Sequence, residues 1–396
     1  MWGVGTEHML VSLVDRILKL LDENTDRSAV IMTCLDWSRA FDRQDPTIAV
    51  KKFLQLGVRP SLIPLLCSYL SDRTMRVKFN GEVSALFRLI GGGPQGTLTG
   101  QTEYLVQSND NADCIEPDDR FKYIDDLSVL QLLCLSGLLV EYDFRSHVAS
   151  DIGIGQQFLP PDRFKTQENL NEISKWTDSN LMKLNANKCE YMIFSRSGQD
   201  FATRLKINET ILDRVSETKI LGVWIRDDLS WSRQCSEICM QSYPRLSMLT
   251  RLKYVGVNTD DLLDVYKLFI RSVIEYCSVV YHSRLTEEQS NKIERIQKTC
   301  LRVILSEMYI DYHSALEMTG LESLKSRRFK RCLDFSLKSI KHPKNQKMFP
   351  ASDRNPKYKI REKEPFKVNF ARTSSYRNST IPFCQRALNQ HFLKKM

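Results

Sequence analysis

Eleven cysteines are scattered along the chain without a single C-x-x-C pair, and no histidines stand at zinc-ligand spacing. That removes the zinc-finger and zinc-hydrolase classes. His8, His147, His282, His313, His342 and His391 form no constellation and are expected to be structural or solvated. Long apolar runs are also missing. The most apolar stretch, Leu127 to Val140, has 14 residues and is broken by Ser128, Gln131 and Ser136, too short to span a bilayer and better suited to a buried element. The start, Met1-Trp2-Gly3-Val4-Gly5-Thr6-Glu7-His8, has no basic segment leading into an apolar core, so it does not read as a signal peptide. Reduced cysteines in an intracellular protein that avoids membranes are therefore expected. No internal repeat is apparent.

What is present is ordinary globular material: 42% hydrophobic and 27% charged over 396 residues, room for roughly two or three domains and a sizeable core. The net charge of +9 hides an asymmetry. Residues 1–240 carry 27 Lys and Arg against 33 Asp and Glu, whereas residues 241–396 carry 30 against 15. From residue 321 onward the count is 20 against 5. A basic block of this kind marks a polyanion-binding surface or tail.

The apolar spacing of Leu10, Leu13, Val14, Ile17, Leu18 and Leu21 predicts an amphipathic helix over 9–21. A buried strand follows at Val30–Leu35, then short helices over 46–56 and 61–70. Two β-rich runs, Met75–Phe79 and Glu82–Ile90, are joined by Asn80-Gly81, the strongest short hairpin signal. Residues 140–165 look like a loop-rich insertion. A helix from Glu168 precedes strands at Cys189–Phe194, Arg204–Ile207 and Lys219–Ile225. After about residue 233 the pattern is helical. Leu262, Tyr266, Phe269, Val273, Tyr276 and Val280 share one expected face, and Thr286-Glu287-Glu288-Gln289 opens the next helix as a capping box. A further helix is expected over about 322–340, and beyond Pro343 an extended basic tail.

The chemistry concentrates on carboxylates. Asp125-Asp126 sits between two β-like runs, in Lys122-Tyr123-Ile124-Asp125-Asp126-Leu127, where a hairpin turn is expected. Asp36 ends the first buried strand. Acids at the ends of neighbouring strands make a hard, all-oxygen site suited to Mg²⁺, the requirement of two-metal phosphoryl transfer.

Five segments, each weak alone, follow one another in the order of a known family. They are Leu35-Asp36-Trp37-Ser38-Arg39-Ala40-Phe41-Asp42, Gly92-Gly93-Pro94-Gln95-Gly96-Thr97-Leu98, Tyr123-Ile124-Asp125-Asp126, Leu184-Asn185-Ala186-Asn187-Lys188-Cys189 and Lys219-Ile220-Leu221-Gly222-Val223. Together they resemble the reverse transcriptase of non-LTR (LINE-type) retrotransposons, nearest in feel to the jockey-like elements, from about Gly5 to Asn389. The resemblance implies an α+β fold: a right-hand polymerase palm, with an antiparallel sheet and packed helices, partial fingers and an α-helical thumb-like region. Partial fingers and palm are expected over 1–232, the thumb-like region over 233–341 and the tail over 342–396.

The resemblance also implies roles. Asp36 and Asp125 would bridge two Mg²⁺ ions, for which Mn²⁺ can substitute, with Asp126 close by and the Trp37 carbonyl as a backbone ligand. Phe41 would block a ribose 2′-hydroxyl, or else be ordinary core. Asp42 is expected to be structural. Gln95 and Gly96 would approach the nascent base pair, and Lys188 would protonate the leaving pyrophosphate or contact a phosphate. Leu221 and Gly222 would touch the primer. Lys325, Arg327 and Arg328, with Lys330 and Arg331, would contact phosphates. The implied partners are an RNA template, a DNA primer and deoxynucleoside triphosphates, and the implied place of action is the nucleus.

The family pattern departs in two places. Most of the fingers expected before the first palm motif do not precede Asp36, and the span from Gly100 to Asp113 is more polar than usual. Two readings follow. One is an RNA-directed DNA polymerase transferring nucleotides to a primer 3′-hydroxyl. The other is a truncated, inactive nucleic-acid-binding remnant. An RNA-dependent RNA polymerase is disfavoured by Phe41.

Overall fold

The computed structural model describes residues 5–24, 28–134, 163–196, 204–352 and 364–394. Most of the expected insertion over 140–165 lies outside them. The chain forms two compact units: Met1–Thr25 with Ser216–Met396, and Asp26–Val215. Among the described residues no helix is long and apolar enough to cross a membrane.

Helix α1 (Thr6–Glu23) was expected beside the palm, yet it belongs with the C-terminal residues. Nearly every side of it is buried, from Met9 and Leu10 through Leu20, Leu21 and Asp22. Such a helix must be surrounded.

The Asp26–Val215 unit is built on strand β1 (Ser28–Leu35), whose near-continuous apolar run is buried on both faces, as a central strand requires. After it come α2 (Pro46–Gln55) and α3 (Ile63–Leu70), then four two-residue strands, β2 (Thr74–Met75), β3 (Lys78–Phe79), β4 (Glu82–Val83) and β5 (Phe87–Arg88). Asn80 and Gly81 both adopt positive φ, 49° and 87°, the left-handed pair that a tight hairpin turn needs. Next are α4 (Leu98–Gln107), β6 (Arg120–Tyr123), β7 (Asp126–Cys134), α5 (Arg163–Ser179), β8 (Glu190–Ser195), β9 (Lys206–Ile207), β10 (Thr210–Ile211) and β11 (Asp213–Arg214). One five-stranded sheet runs in the order β11-β8-β1-β7-β6. It is antiparallel except for β11 on β8. Ile31, Leu35, Val129, Leu170, Ile173 and Tyr191 share its core with Trp37 and Tyr104.

The other unit opens with the hairpin β12 (Glu217–Ile220) and β13 (Val223–Arg226), followed by α6 (Ser232–Tyr254) and α7 (Thr259–Val265). The helix expected over 261–281 is not one helix. A π-turn over Tyr266–Ile270 precedes α8 (Arg271–Glu275), and Cys277 at φ 47° separates α8 from α9 (Ser278–His282). The wide turn inserts a residue and rotates the apolar face. Ile270 and Ile274 are fully buried, whereas Phe269 and Tyr276, expected in the core, are 55% and 42% exposed. Helix α10 (Glu287–Leu305) does begin with the capping box on Thr286 and Gln289. Then come α11 (Tyr312–Thr319), α12 (Leu324–Ser339), α13 (Ser374–Arg377) and α14 (Thr380–Leu393).

The last two helices correct the expectation of an extended tail. Buried Asp22 on α1 accepts the Arg372 and Thr373 amides at 2.9 and 2.7 Å. Ile381, Cys384 and Leu388 are buried, so residues 364–394 pack rather than trail.

Candidate active site

The β6–β7 hairpin turns through Ile124-Asp125, with Tyr123 paired to Asp126. Ile124 takes φ 55°, a conformation in which a β-branched residue is strained. Glycine is favoured there in a two-residue hairpin. On the neighbouring ladder, β1 and β7 pair up to Leu35↔Leu127. One step further along the same register sets Asp36 opposite Asp126, so the strand ends bring the three acids together. Among the described residues none of their carboxylates has a hydrogen-bond or salt-bridge partner. Burial, then the charges of Asp125 and Asp36, holds the Asp126 carboxyl above its ordinary range, although its surface is largely exposed.

Backbone contacts fix Asp36 from the far side. Its N–H donates to the Cys189 Sγ at 3.4 Å, and its carbonyl accepts from Asn185 N–H at 2.9 Å. Ser38 N–H donates to the Lys183 carbonyl at 2.8 Å. The Leu184–Cys189 motif is thus placed against the first aspartate, with Lys188 exposed on the short helical turn between them. The Trp37 side chain is buried, edge-on to Trp176 at 5.9 Å between ring centroids. Any part Trp37 plays at the acids is therefore a backbone one.

Phe41 is half-buried, its ring 4.9 Å from that of Tyr104. Tyr104, on α4, was not singled out from sequence, because its polar surroundings masked a core position. It is 1% exposed. Burial, then the charges of Asp125, Asp126 and Asp36, pushes its phenol far above the ordinary range. The glycine loop closes the remaining side. Gly92 and Gly93 N–H donate to the Gln44 and Phe41 carbonyls at 2.8 and 2.9 Å. At Gly92, with φ 85°, a Cβ would sit 3.2 Å from the Asp42 carbonyl oxygen, so only glycine fits without strain. Gln95 donates to Asp42 Oδ1 at 2.9 Å, which ties the glycine loop to the segment after Asp36. Gly96, at φ 77°, has nothing within 4 Å of a notional Cβ and leaves its backbone open to an approaching ligand. Beside the loop, Glu103 is 2% exposed with both carboxylate oxygens unpartnered among the described residues. Burial raises its carboxyl to about 7 against the opposing charge of Arg73.

With this geometry in hand, the chain compares as follows. No family model matches it. It is 24% identical over 306 residues to the RNA-directed DNA polymerase from mobile element jockey of Drosophila melanogaster, covering 76% of this chain and 31% of that protein. The corresponding protein of Drosophila funebris is 24% identical over 314 residues, with the same coverage. The chain is similar to the RNA-directed DNA polymerases of non-LTR mobile elements. It spans 31% of the length of these relatives. Among solved structures, telomerase from Candida tropicalis in complex with a telomeric RNA fragment covers 99% of this chain and 50% of its own, at 12% identity and a TM-score of 0.38.

The residues that the reverse-transcriptase resemblance assigns to primer and phosphate lie in the other unit. Leu221 and Gly222 form the β12–β13 turn with φ 46° and 83°. Tyr276 Oη donates to the Leu221 carbonyl at 2.8 Å, and a Cβ on Gly222 would meet the Tyr276 ring at 3.2 Å. The kink at Cys277 thus gives Tyr276 a task that sequence periodicity hid. On α12, the basic cluster is occupied internally. Lys325 pairs with Glu287 at 3.1 Å, Arg327 donates to buried Glu275 at 3.0 Å, Lys330 pairs with Glu322, and Arg331 with Glu7 at 3.4 Å. Arg328 corrects the expectation outright. It is 1% exposed and donates to Ser290 Oγ at 2.7 Å, so it cannot reach a phosphate.

Proposed function

We propose that the Asp26–Val215 unit is the polymerase centre of an RNA-directed DNA polymerase, acting on an RNA template, a DNA primer and deoxynucleoside triphosphates. The observation that carries this is the meeting of Asp36, Asp125 and Asp126 at adjacent strand ends. Their carboxylates are unpaired and mutually repelling, and Phe41 stands on Tyr104 beside them. Among the described residues no group of three or more His, Cys, Asp or Glu side chains is placed to hold a metal ion, so the reading rests on the strand register and the charge coupling of the three aspartates and not on a formed cage. Mg²⁺ takes one or two carboxylates and fills its octahedron with waters and substrate phosphates. Asp36 and Asp125 would hold the ions, with Asp126 supporting and the Trp37 backbone as a further oxygen donor.

Mg²⁺ bound there would lower the pKa of the primer 3′-hydroxyl and neutralise charge on the departing phosphates. The 3′-oxygen bonds to the α-phosphorus as the α–β phosphoanhydride breaks, its proton leaves, and the electron pair departs with pyrophosphate. Phe41 would fill the space of a ribose 2′-hydroxyl. Gln95 and Gly96 would line the nascent base pair. Lys188 would serve the leaving group as proton donor or phosphate contact.

A second reading, a nucleic-acid binder without turnover, is favoured by one feature. Twelve large apolar side chains between Leu54 and Ile90, Phe79 at 74% and Ile90 at 98% among them, stand exposed. All eight residues of β2–β5 are exposed too. Such ribbons are marginal without cover, and clamping of the substrate carries most of phosphoryl-transfer catalysis.

Extension of a DNA primer on an RNA template by the purified chain, with Mg²⁺ and beside Asp125→Ala, separates the two. Product with the wild type and none with the variant supports the polymerase. Salt-sensitive template–primer binding without product supports the binder.

A further inference from the structure

A polar cleft of about 490 Å³ opens in the Asp26–Val215 unit, lined by Ser38, Arg43, Thr177, Lys183, Asn185 and Asn208 among others. It begins two residues from Asp36, on the same backbone that positions that aspartate: the Ser38 amide on the Lys183 carbonyl and the Asn185 amide on the Asp36 carbonyl. Its wall carries two cations, Arg43 and Lys183, against one carboxylate, Asp178. Both cations are exposed, and among the described residues neither side chain has a hydrogen-bond or salt-bridge partner. The remaining polar lining is of amides and hydroxyls, which can all donate to oxygen anions.

We infer that this cleft receives inorganic pyrophosphate released at the aspartate centre. The inference rests on the polymerase reading above and adds to it a place for the leaving product. Pyrophosphate carries several negative charges, and three carboxylates face the point at which it forms. Once cations no longer mask those charges, repulsion drives it outward. The neighbouring surface with unpaired Arg and Lys, and donors spaced along it, is where it gains charge-assisted hydrogen bonds. Arg43 offers a planar fork to two phosphate oxygens, and Lys183 offers a point charge. None of this requires the carboxylates, so the cleft binds the anion without a divalent ion.

Titration calorimetry with inorganic pyrophosphate tests this on the full chain in divalent-free buffer. The proteins are the wild type, Asp125→Ala, and the Arg43→Ala/Lys183→Ala double variant, whose exposed side chains leave the fold intact by circular dichroism. Equal binding by wild type and Asp125→Ala, with the double variant weaker by about tenfold or more, supports the inference. Wild-type affinity in the double variant, loss of binding in Asp125→Ala, or no binding by the wild type overturns it. Primer extension keeps the two readings apart. Active polymerase with Arg43/Lys183-independent pyrophosphate binding sinks the cleft alone. Inactive protein with Arg43/Lys183-dependent binding sinks the polymerase reading and keeps the polyphosphate site.

Discussion

Replacing Asp126 by Asn should stabilise the protein while disabling its proposed metal site. One step beyond the last β1–β7 pair, Leu35 and Leu127, the register sets Asp36 against Asp126, and directly opposed Cβ atoms lie ~5 Å apart. Two unit charges at that separation repel by about 1 kcal/mol in water and roughly 3 kcal/mol at an effective dielectric of 20. Asp126 is open to solvent, so the lower figure applies, with Asp125 adding to it. Asp126→Asn keeps the shape and removes the charge. In divalent-free buffer at pH 7 the variant should gain about 1 kcal/mol, or roughly 2–4 °C in Tm for a unit of this size.

The pH dependence gives a second handle. Because the folded-state carboxyl is held above its ordinary value, protonation favours the fold. That stabilisation is present at low pH and is lost as pH rises through the folded pKa. The gain from Asp126→Asn should therefore shrink toward zero in acid. With Mg²⁺ at 100 times its Kd, the wild type should gain about 2.7 kcal/mol and the variant much less. Calorimetric melts at pH 7 with and without Mg²⁺ read all of this. An unchanged or lower Tm for the divalent-free variant, or equal Mg²⁺ shifts in both proteins, would refute the reasoning.

Other outcomes follow from particular strains and burials. Ile124→Gly should raise stability by about 1 kcal/mol, since relief of left-handed strain exceeds the entropy cost of glycine, and the side chain is already 37% exposed; a lower urea midpoint would contradict this. Arg328→Met should fall between neutral and about 1 kcal/mol more stable, because the buried guanidinium leaves Nε and Nη1 unpartnered among the described residues. Its neighbour Glu294 is satisfied by the Leu324 and Lys325 amides. Template–primer affinity should be unchanged in that variant, and a loss of about 3 kcal/mol or a drop in affinity would show that the charge matters. Burial, then the charges of Arg328 and Lys325, depresses His282 to about 4. The unfolded imidazole takes up its proton first, so stability should fall by roughly 2 kcal/mol or less as pH drops from about 6.5 to 4. His282→Gln should flatten that stretch of a chemical-denaturation pH profile, and an unaltered slope would exclude His282 as its source.

The residues that could be read from sequence are those whose signals are local. Strand β1 announces itself as an unbroken apolar run, Asn80-Gly81 as a turn, and Thr286 with Gln289 as a cap, because each is decided within a few residues of backbone. The carboxylate site is legible for a related reason. Two strand ends and one turn fix it, so the register that pairs Leu35 with Leu127 leaves Asp36 and Asp126 nowhere else to stand. Helix faces fail where one inserted residue changes the phase. Uninterrupted 3.6-residue spacing cannot show that the π-turn at Tyr266–Ile270 turns Phe269 outward and puts Tyr276 on the Leu221 carbonyl.

Charge is the least legible property of all. On α12, five basic residues within seven positions read as a phosphate-binding face. Yet their partners, Glu7, Glu275, Glu287 and Glu322, come from α1, α8, α10 and the loop before α12. One-dimensional spacing cannot tell a cation facing solvent from one already paired across the fold. The pair Lys325–Glu287 is exposed on both sides, 60% and 71%, so it is worth little and can open for a phosphate. Arg327 is tied to a glutamate only 6% exposed, and giving it up would strand a buried charge. Of the expected contacts on α12, Lys325 and Lys330, whose partner Glu322 is 42% exposed, are therefore the ones that the fold leaves free to be exchanged for a polyanion, and Arg327 is held by the interior.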